Sequence, residues 1–211
     1  MPGESDEDRL PEDLRVAVTI AHTFGWRMQS EVLTLELRQA DLVAGTIRLD
    51  PGATKNDEGR IVYLTPELQS MLRAQVERVM ALMGKRGAAI PYLFPHLKGR
   101  FAGRCVRDFR KTWATACKNA GFAVTVVEKG KKIIRPLFIR HDFRRTAIRN
   151  MVNLGIPERV AMTVTGHKTR AVFDRYHIVS PADLQEASRK LAGTFAGTFG
   201  HSALDADAGR V

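Results

Sequence analysis

The chain contains little cysteine and no long apolar run. Its two cysteines, Cys105 and Cys117, stand in 211 residues, which argues against a disulfide scaffold and fits a reducing cytosol. No apolar stretch approaches the ~18 residues that span a bilayer, and the acidic start lacks the charge pattern of a signal peptide. The sequence therefore predicts a cytoplasmic protein without a membrane partner. Both cysteines are predicted to lie on a mostly apolar face of one helix.

Acidic residues are outnumbered by basic ones. The chain has 33 Lys and Arg against 23 Asp and Glu, a formal net charge of +10. From Lys98 to Arg149, fifteen basic residues face three acids, and aromatic residues at core spacing place this block on a folded surface. Such a surface favours nucleic acid as the partner, because neutralising phosphates releases counterions. An anionic membrane surface or a plain solvated face is the alternative.

Composition divides the chain into three parts. Residues 1–13 hold six acids and one base, which indicates an acidic leader or a linker remnant. Residues 14–192 have the pattern of a globular domain. Residues 193–211 contain a short Ala-Gly-Thr-Phe repeat followed by small and acidic residues, which is typical of a flexible tail.

Periodicity within the globular part predicts a mainly α fold with a small antiparallel β-sheet (α+β). The predicted helices span residues 11–24, 29–35, 65–83, 106–120, 141–154, 157–165 and 181–191. The long helix over 65–83 is predicted to end at Gly84. Strands over 46–49 and 60–64 form one hairpin, and strands over 124–127 and 133–138 form a second.

Several side chains could together attack a phosphodiester. His141 and Arg144 lie three residues apart on a helix and can point at one ligand, His167 follows Gly166 in a turn, and Tyr176 comes nine residues later. Taken alone, each of these side chains has an ordinary explanation: it is exposed to solvent, caps a helix or packs against its neighbours. A tyrosine hydroxyl with a pKa near ~10 needs nearby positive charge or a base to become a nucleophile.

Two arginines and a lysine would complete this chemistry. Arg27 and Arg144 could clamp the negative charge that develops on phosphate oxygens, as rigid and always protonated forks. Lys55, in a polar hairpin tip, could protonate the departing oxygen. Arg27 could instead simply pair with Glu31 at i, i+4. His141 and His167 lack a third ligand at convincing spacing, so no metal site is predicted.

The set resembles the tyrosine recombinase (phage integrase) family. The likeness rests on Thr23-Phe-Gly-Trp-Arg27 with Glu31, on Thr54-Lys55, and on His141-x-x-Arg144, Gly166-His167 and Tyr176. It covers about residues 14–191 and identifies residues 14–192 as a catalytic domain.

The resemblance implies a role for each residue. Tyr176 would be the nucleophile that forms a 3'-phosphotyrosyl bond, Arg27 and Arg144 the phosphate clamps, and Lys55 the general acid. His141 would be a base or orienter, His167 a hydrogen-bond donor to the phosphate, and Glu31 a supporting residue. No metal and no nucleotide cofactor are implied, because the covalent bond stores the cleavage energy for rejoining.

Double-stranded DNA is the expected partner, and the protein is expected to associate with the nucleoid when bound to it. By resemblance, the helix from Pro181 would dock on a neighbouring protomer. Further DNA contacts are expected from exposed cations: Arg100, Arg104, Lys131, Lys132, Arg140 and Arg145. Family members normally carry an N-terminal DNA-binding domain, whereas about thirteen residues precede this catalytic part, so a fragment or a truncated relative is expected.

Three functions stay open from the sequence. The first is a site-specific recombinase that cleaves and rejoins DNA. The second is a type IB topoisomerase-like enzyme that relaxes DNA by similar chemistry. The third is a truncated, non-catalytic DNA-binding relative. Only the first two require Tyr176 to react.

Overall fold

Helices make up most of the structure. The computed structural model describes residues 11–52, 59–139, 141–176 and 181–199. The α-helices are α1 (Glu12–Phe24), α2 (Pro66–Arg86), α3 (Arg110–Asn119), α4 (Asp142–Asn153), α5 (Glu158–Thr165), α6 (Arg170–Asp174) and α7 (Pro181–Phe199). A π-helical turn covers Met28–Val32 and a 3-10 turn covers Leu37–Gln39. The strands form two small antiparallel sheets, so the predicted fold class is confirmed.

The first sheet covers one side of the main core. Its strands are β1 (Ala40–Asp41), β2 (Thr46–Leu49) and β3 (Arg60–Tyr63), in the order β1-β2-β3. Ile47 pairs with Val62, and both side chains are buried. Because side chains alternate along a strand, Arg60 lies on the same face as Val62. This places a cation at the inner edge of the sheet.

The second sheet is the predicted basic hairpin, which packs against α3. It consists of β4 (Ala123–Glu128) and β5 (Lys131–Pro136). Val127 pairs with Lys132, and both are exposed. The base of the hairpin is fixed by the Trp113 indole, which donates to the Phe138 carbonyl at 3.0 Å.

A second apolar cluster supports the C-terminal helices of the domain. Its buried members are Ala147, Ile148, Met151, Ala161 and Phe173. Helical spacing from Phe143 through Ala147 and Met151 predicts that Leu154 lies on the same buried face of α4, but this residue is 78% exposed. The prediction was wrong there because Leu154 is the C-cap of α4, where the helical periodicity stops.

Several element boundaries differ from the sequence prediction. Helix α2 runs through Gly84 and ends at Gly87, whose φ of 60° supplies the left-handed C-cap. Helix α3 begins only at Arg110, so Cys105 lies outside it, contrary to prediction. Cys105 instead forms an isolated β-bridge with Pro95, while Cys117 is buried in α3. Helix α6 was not predicted.

The described residues up to Tyr176 form one compact unit, and α7 belongs to a second. In the second unit, α7 continues to Phe199, beyond the predicted end near residue 191. The predicted boundaries at residues 13 and 192 stay predictions. Within the described part of the chain, every helix is too short or too polar to cross a membrane.

Candidate active site

Five of the six predicted catalytic side chains converge within the first unit. Arg27 immediately precedes the π-helical turn, His141 and Arg144 stand at the start of α4, His167 follows α5, and Tyr176 follows α6. The sixth, Lys55, lies in residues 53–58, outside the described residues. The convergence brings together Arg27 and Tyr176, which lie at opposite ends of the first unit's sequence.

Glu31 organises one side of the cluster. It is fully buried, and its carboxylate accepts from the Arg27 backbone N–H and from Arg27 Nη1, both at 2.7 Å. The Arg60 guanidinium also donates to it, through Nη2 at 2.7 Å. The predicted i, i+4 pair is therefore present, with a second arginine added. The supporting role expected of Glu31 stays a prediction.

The pKa of Glu31 reflects a balance between burial and hydrogen bonds. Burial alone would raise it, but the Arg27 N–H and the charges of Arg60 and Arg27 outweigh burial and lower the pKa below its ordinary value. Glu31 is therefore ionised at neutral pH. It holds the backbone and side chain of Arg27 in a fixed geometry.

Arg144 lies inside the protein rather than at the edge of the core. Its exposed fraction is 3%. Nη1 donates to the Gly25 carbonyl at 2.7 Å, and Nε donates to His167 Nε2 at 3.1 Å. Burial, followed by the neighbouring charge of Arg27, lowers the pKa of Arg144 to about 10. Arg144 is therefore charged at neutral pH and tightly oriented.

His167 completes this arrangement as a neutral ring. The Thr165 hydroxyl donates to the Ala161 carbonyl at 2.8 Å and lies 2.7 Å from His167 Nδ1. The shorter contact to the Thr165 hydroxyl favours a proton on Nδ1, which leaves Nε2 to accept from Arg144. Arg144 Nη2 also lies 3.3 Å from Nδ1. Burial, then the charges of Arg144, Arg27 and Arg60, lowers the pKa of His167 to about 3.

Tyr176 is held between the two histidines. Its hydroxyl oxygen lies 2.8 Å from His141 Nε2, and its ring centroid is 5.3 Å from that of His167. Burial and the charges of Arg144 and Arg27 lower the pKa of His141, so its ring is neutral at pH 7. A neutral Nε2 can accept the phenolic proton.

Sequence reasoning missed Arg60. Its side chain is 8% exposed, and its Nη1 donates to the Thr165 carbonyl at 2.8 Å. The available signal was strand alternation, since Arg60 shares a face with the core residue Val62. Arg27 and Arg60 thus both contact the Glu31 carboxylate, and the Arg144 guanidinium lies near enough to feel the charges of all three. This excess positive charge suits an anion with more than one negative charge.

The predicted DNA-contacting cations lie on the surface. Arg100, Arg104, Lys131, Lys132 and Arg145 are all exposed, whereas Arg140 lies outside the described residues. The Arg100 guanidinium stands 4.6 Å from the centre of the Phe101 ring, and that of Arg104 stands 5.9 Å from it. Among the described residues, no group of three His, Cys, Asp or Glu side chains could hold a metal ion.

A family model and a relative match most of this chain. A model of the phage integrase family matches residues 3–182. Transposase B from transposon Tn554 of Staphylococcus aureus is 25% identical over 173 residues, covering 80% of this chain and 25% of the relative. The chain thus spans about a quarter of that relative's length.

Solved structures share the fold. The recombinase XerH bound to its palindromic difH substrate has a TM-score of 0.62 and 17% identity, covering 90% of this chain and 48% of that one. The catalytic domain of bacteriophage HP1 integrase has a TM-score of 0.52 and 22% identity, covering 94% of this chain and 90% of that one. With the family model matching most of its length, this chain belongs to the phage integrase family.

Proposed function

We propose that this chain is the catalytic domain of a site-specific DNA recombinase that cleaves and rejoins DNA through a 3'-phosphotyrosyl intermediate. One observation carries the proposal. The Tyr176 hydroxyl lies 2.8 Å from His141 Nε2, and its ring lies beside His167, which accepts a hydrogen bond from Arg144. A nucleophile, a base and a fixed cation thus occupy one site.

Cleavage begins with attack of Tyr176 Oη on the phosphorus. Its proton passes to His141 Nε2, and the bond from phosphorus to the 5' oxygen breaks. The products are a 3'-phosphotyrosyl bond and a 5'-hydroxyl, and the 5' oxygen takes a proton from Lys55. In rejoining, the 5'-hydroxyl gives its proton to Lys55 and attacks the phosphorus. The bond from phosphorus to Tyr176 Oη breaks, and Oη takes its proton back from His141.

Arg27 and Arg144 stabilise the charge that builds up during this attack. A phosphodiester carries one negative charge, and the pentacoordinate transition state carries a second. Fixed guanidinium groups stabilise that added charge without reorganising. Glu31 orients Arg27, and the Gly25 carbonyl orients Arg144.

The hydrogen-bond partner of His167 in the structure differs from the one that its proposed role requires. In the structure its Nε2 accepts from Arg144. To donate to a phosphate oxygen, the proton must move to Nε2. The Thr165 hydroxyl can support this tautomer by donating to Nδ1 instead of to the Ala161 carbonyl, since it lies within reach of both.

Double-stranded DNA is the proposed substrate, bound through the exposed cations Arg100, Arg104, Lys131, Lys132 and Arg145, together with Arg140. XerH, a protein of the same fold, was solved with its DNA substrate. The same proposal includes docking of α7 on a neighbouring protomer, a cytoplasmic location in association with the nucleoid, and a catalytic domain that spans residues 14–192.

A nicked suicide duplex tests the proposal directly. Cleavage next to the nick releases a short oligonucleotide, so the covalent adduct accumulates and migrates as a shifted band on a denaturing gel. Tyr176→Phe keeps the ring but removes the nucleophilic oxygen, and we expect it to abolish the adduct. Since the target sequence must be found, the duplexes should come from a library of candidate sites.

Tyr63→Phe is the matched control. Tyr63 lies on β3 with 77% of its surface exposed, so this variant should form as much adduct as the wild type. An adduct that persists in Tyr176→Phe would rule out Tyr176 as the nucleophile. Salt-sensitive DNA binding by a wild-type protein that forms no adduct on any duplex would favour a non-catalytic module.

A further inference from the structure

We propose that Arg60 is a positioning residue for strand transfer, which fixes Arg27 through Glu31 and fixes His167 through the turn that follows α5. The inference rests on the proposed function, because it concerns the geometry of the same phosphate clamp. Arg60 itself is not placed against the substrate. Arg60 acts through Arg27 and His167, which are proposed to contact the phosphate.

The contacts of Arg60 join three separate parts of the chain. Nη2 donates to Glu31 Oε1 at 2.7 Å, and Nη1 donates to the Thr165 carbonyl at 2.8 Å. Its guanidinium carbon lies 5.8 Å from the centre of the Trp26 ring. The Trp26 indole in turn donates to the Val164 carbonyl at 2.9 Å. Arg60 therefore links β3 to the segment before the π-helical turn and to the end of α5.

Gly166 shows how closely Arg60 is fitted to the turn. A Cβ atom built on Gly166 would overlap the Arg60 guanidinium. The φ of Gly166 is also 72°, which few residues with a side chain adopt. A glycine is therefore required at position 166 for two reasons: the left-handed φ and the space that the Arg60 guanidinium occupies.

Sharing of one carboxylate oxygen explains how Arg60 acts on Arg27. Glu31 Oε1 accepts from both Arg27 Nη1 and Arg60 Nη2. A buried carboxylate that lost Arg60 would have only Arg27 to satisfy it, and would draw that guanidinium inward. Arg27 is one-third exposed (33%), so a guanidinium drawn further inward would present less of its surface to a phosphate.

Lysine does not reproduce this bridge. A guanidinium is planar and donates through two separate nitrogens at fixed angles, whereas an ammonium is a single point of charge. Arg60→Lys therefore keeps the charge beside Glu31 but loses the simultaneous contact to the Thr165 carbonyl. It is the preferred variant because complete removal of the buried cation risks unfolding the protein.

The main experiment measures cleavage rate and DNA affinity separately. On the nicked duplex at saturating protein, Arg60→Lys should form adduct at least ~10-fold more slowly, because sub-ångström to 1 Å misplacement of reacting groups costs up to ~100-fold. Its dissociation constant for DNA should stay within about twofold, since Arg60 is buried away from solvent. Arg48→Lys is the matched control on the neighbouring strand, where the side chain is 54% exposed, and it should change neither quantity.

A double-mutant cycle tests whether Arg60 acts through Arg27. If it does, Arg27→Lys combined with Arg60→Lys should lose clearly less than the product of the two single losses, because residues that act as a unit are not additive. Losses that multiply would overturn the proposal. So would an Arg60→Lys variant that cleaves at the wild-type rate.

Hydrogen exchange in the free protein separates this proposal from the proposed function. The Glu31 amide donates to the Arg27 carbonyl and the His167 amide to the Met162 carbonyl, both at 2.9 Å. Both amides should exchange faster in Arg60→Lys, while those of α2 stay unchanged. If the wild type forms no adduct, the function is wrong and the exchange data alone decide the role of Arg60. Unchanged exchange at both amides would overturn it.

Discussion

His167 is the side chain whose charge depends most strongly on the fold. Burial and three neighbouring guanidinium groups bring its pKa to about 3 from an ordinary value of 6.5. The ring is therefore neutral in the folded protein at neutral pH. In the unfolded chain the same ring takes up a proton near its ordinary pKa.

This difference predicts a pH-dependent stability. Between pH 6.5 and about 3 the unfolded state binds more protons at His167 than the folded state does. The free energy of unfolding should therefore fall as the pH is lowered through that window, by at most about 1.4 kcal/mol per pH unit for one proton. Urea titrations at pH 4 to 7 measure this slope.

His167→Gln should make the slope shallower. Part of the slope should remain, because the pKa of His141 is lowered in the same direction. His22→Gln serves as the comparison, since His22 is exposed at the end of α1. An unchanged slope in His167→Gln would show that His167 is not the group that resists protonation.

At this scale the sequence predicted contacts set by local spacing and missed those set by packing. The i, i+4 relation of Arg27 and Glu31 is visible in the sequence, and the pair is present. The burial of Arg144 is not visible, because it depends on the Gly25 carbonyl 119 residues earlier. Arg60 was missed because a charge at an inward strand position normally argues against burial.

At the scale of elements, the end of α1 has two functions. Gly25 adopts φ 68° as the C-cap of the helix, and its carbonyl accepts from Arg144 Nη1. A Cβ atom on Gly25 would lie 3.1 Å from Thr165 Cγ2 and 3.3 Å from Ala147 Cβ. The helix terminus is therefore packed against α4 and α5 with no room for a side chain.

Gly25→Ala should destabilise the protein more than Gly87→Ala. Both positions have a left-handed φ, which costs about 1–2 kcal/mol for a residue with a Cβ. Around Gly87 there is nothing within 4 Å, so only that backbone cost applies. Gly25→Ala adds overpacking of about 1–3 kcal/mol. Chemical denaturation of both variants gives the comparison, and equal losses would contradict the packing described here.

The elements themselves were largely predictable, and their ends were not. Periodicity placed α1, α2, α4, α5 and both hairpins, because apolar spacing reports the buried face directly. The sequence predicts the end of α2 at Gly84, yet nothing lies within 4 Å of a Cβ built there, and the helix continues to Arg86 with Gly87 as its C-cap. Helix α6 has only five residues, too few for a periodic pattern.

At the scale of the whole molecule, positive charge dominates. The net charge of +10 and the exposed cations of the β4–β5 hairpin predict DNA binding that weakens steeply with salt. Each phosphate contact contributes about 0.9 to the slope of log affinity against log salt concentration. Lys131→Gln with Lys132→Gln should therefore reduce this slope by about 1–2 if both lysines contact phosphates.

Fluorescence anisotropy with a labelled duplex at several salt concentrations measures the slope. Lys85→Gln removes an exposed cation from the last turn of α2 and is the comparison for charge alone. If its effect on the slope equals that of one hairpin lysine, the hairpin has no special place in DNA binding.

The 2.8 Å contact between Tyr176 and His141 lies within a single polypeptide. Each copy of the chain thus carries the proposed nucleophile beside its own arginines. We therefore expect no strand cleavage from a mixture of two inactivated copies, one lacking the Tyr176 hydroxyl and the other lacking Arg144. Activity would return only if the two copies exchanged the segment that carries Tyr176.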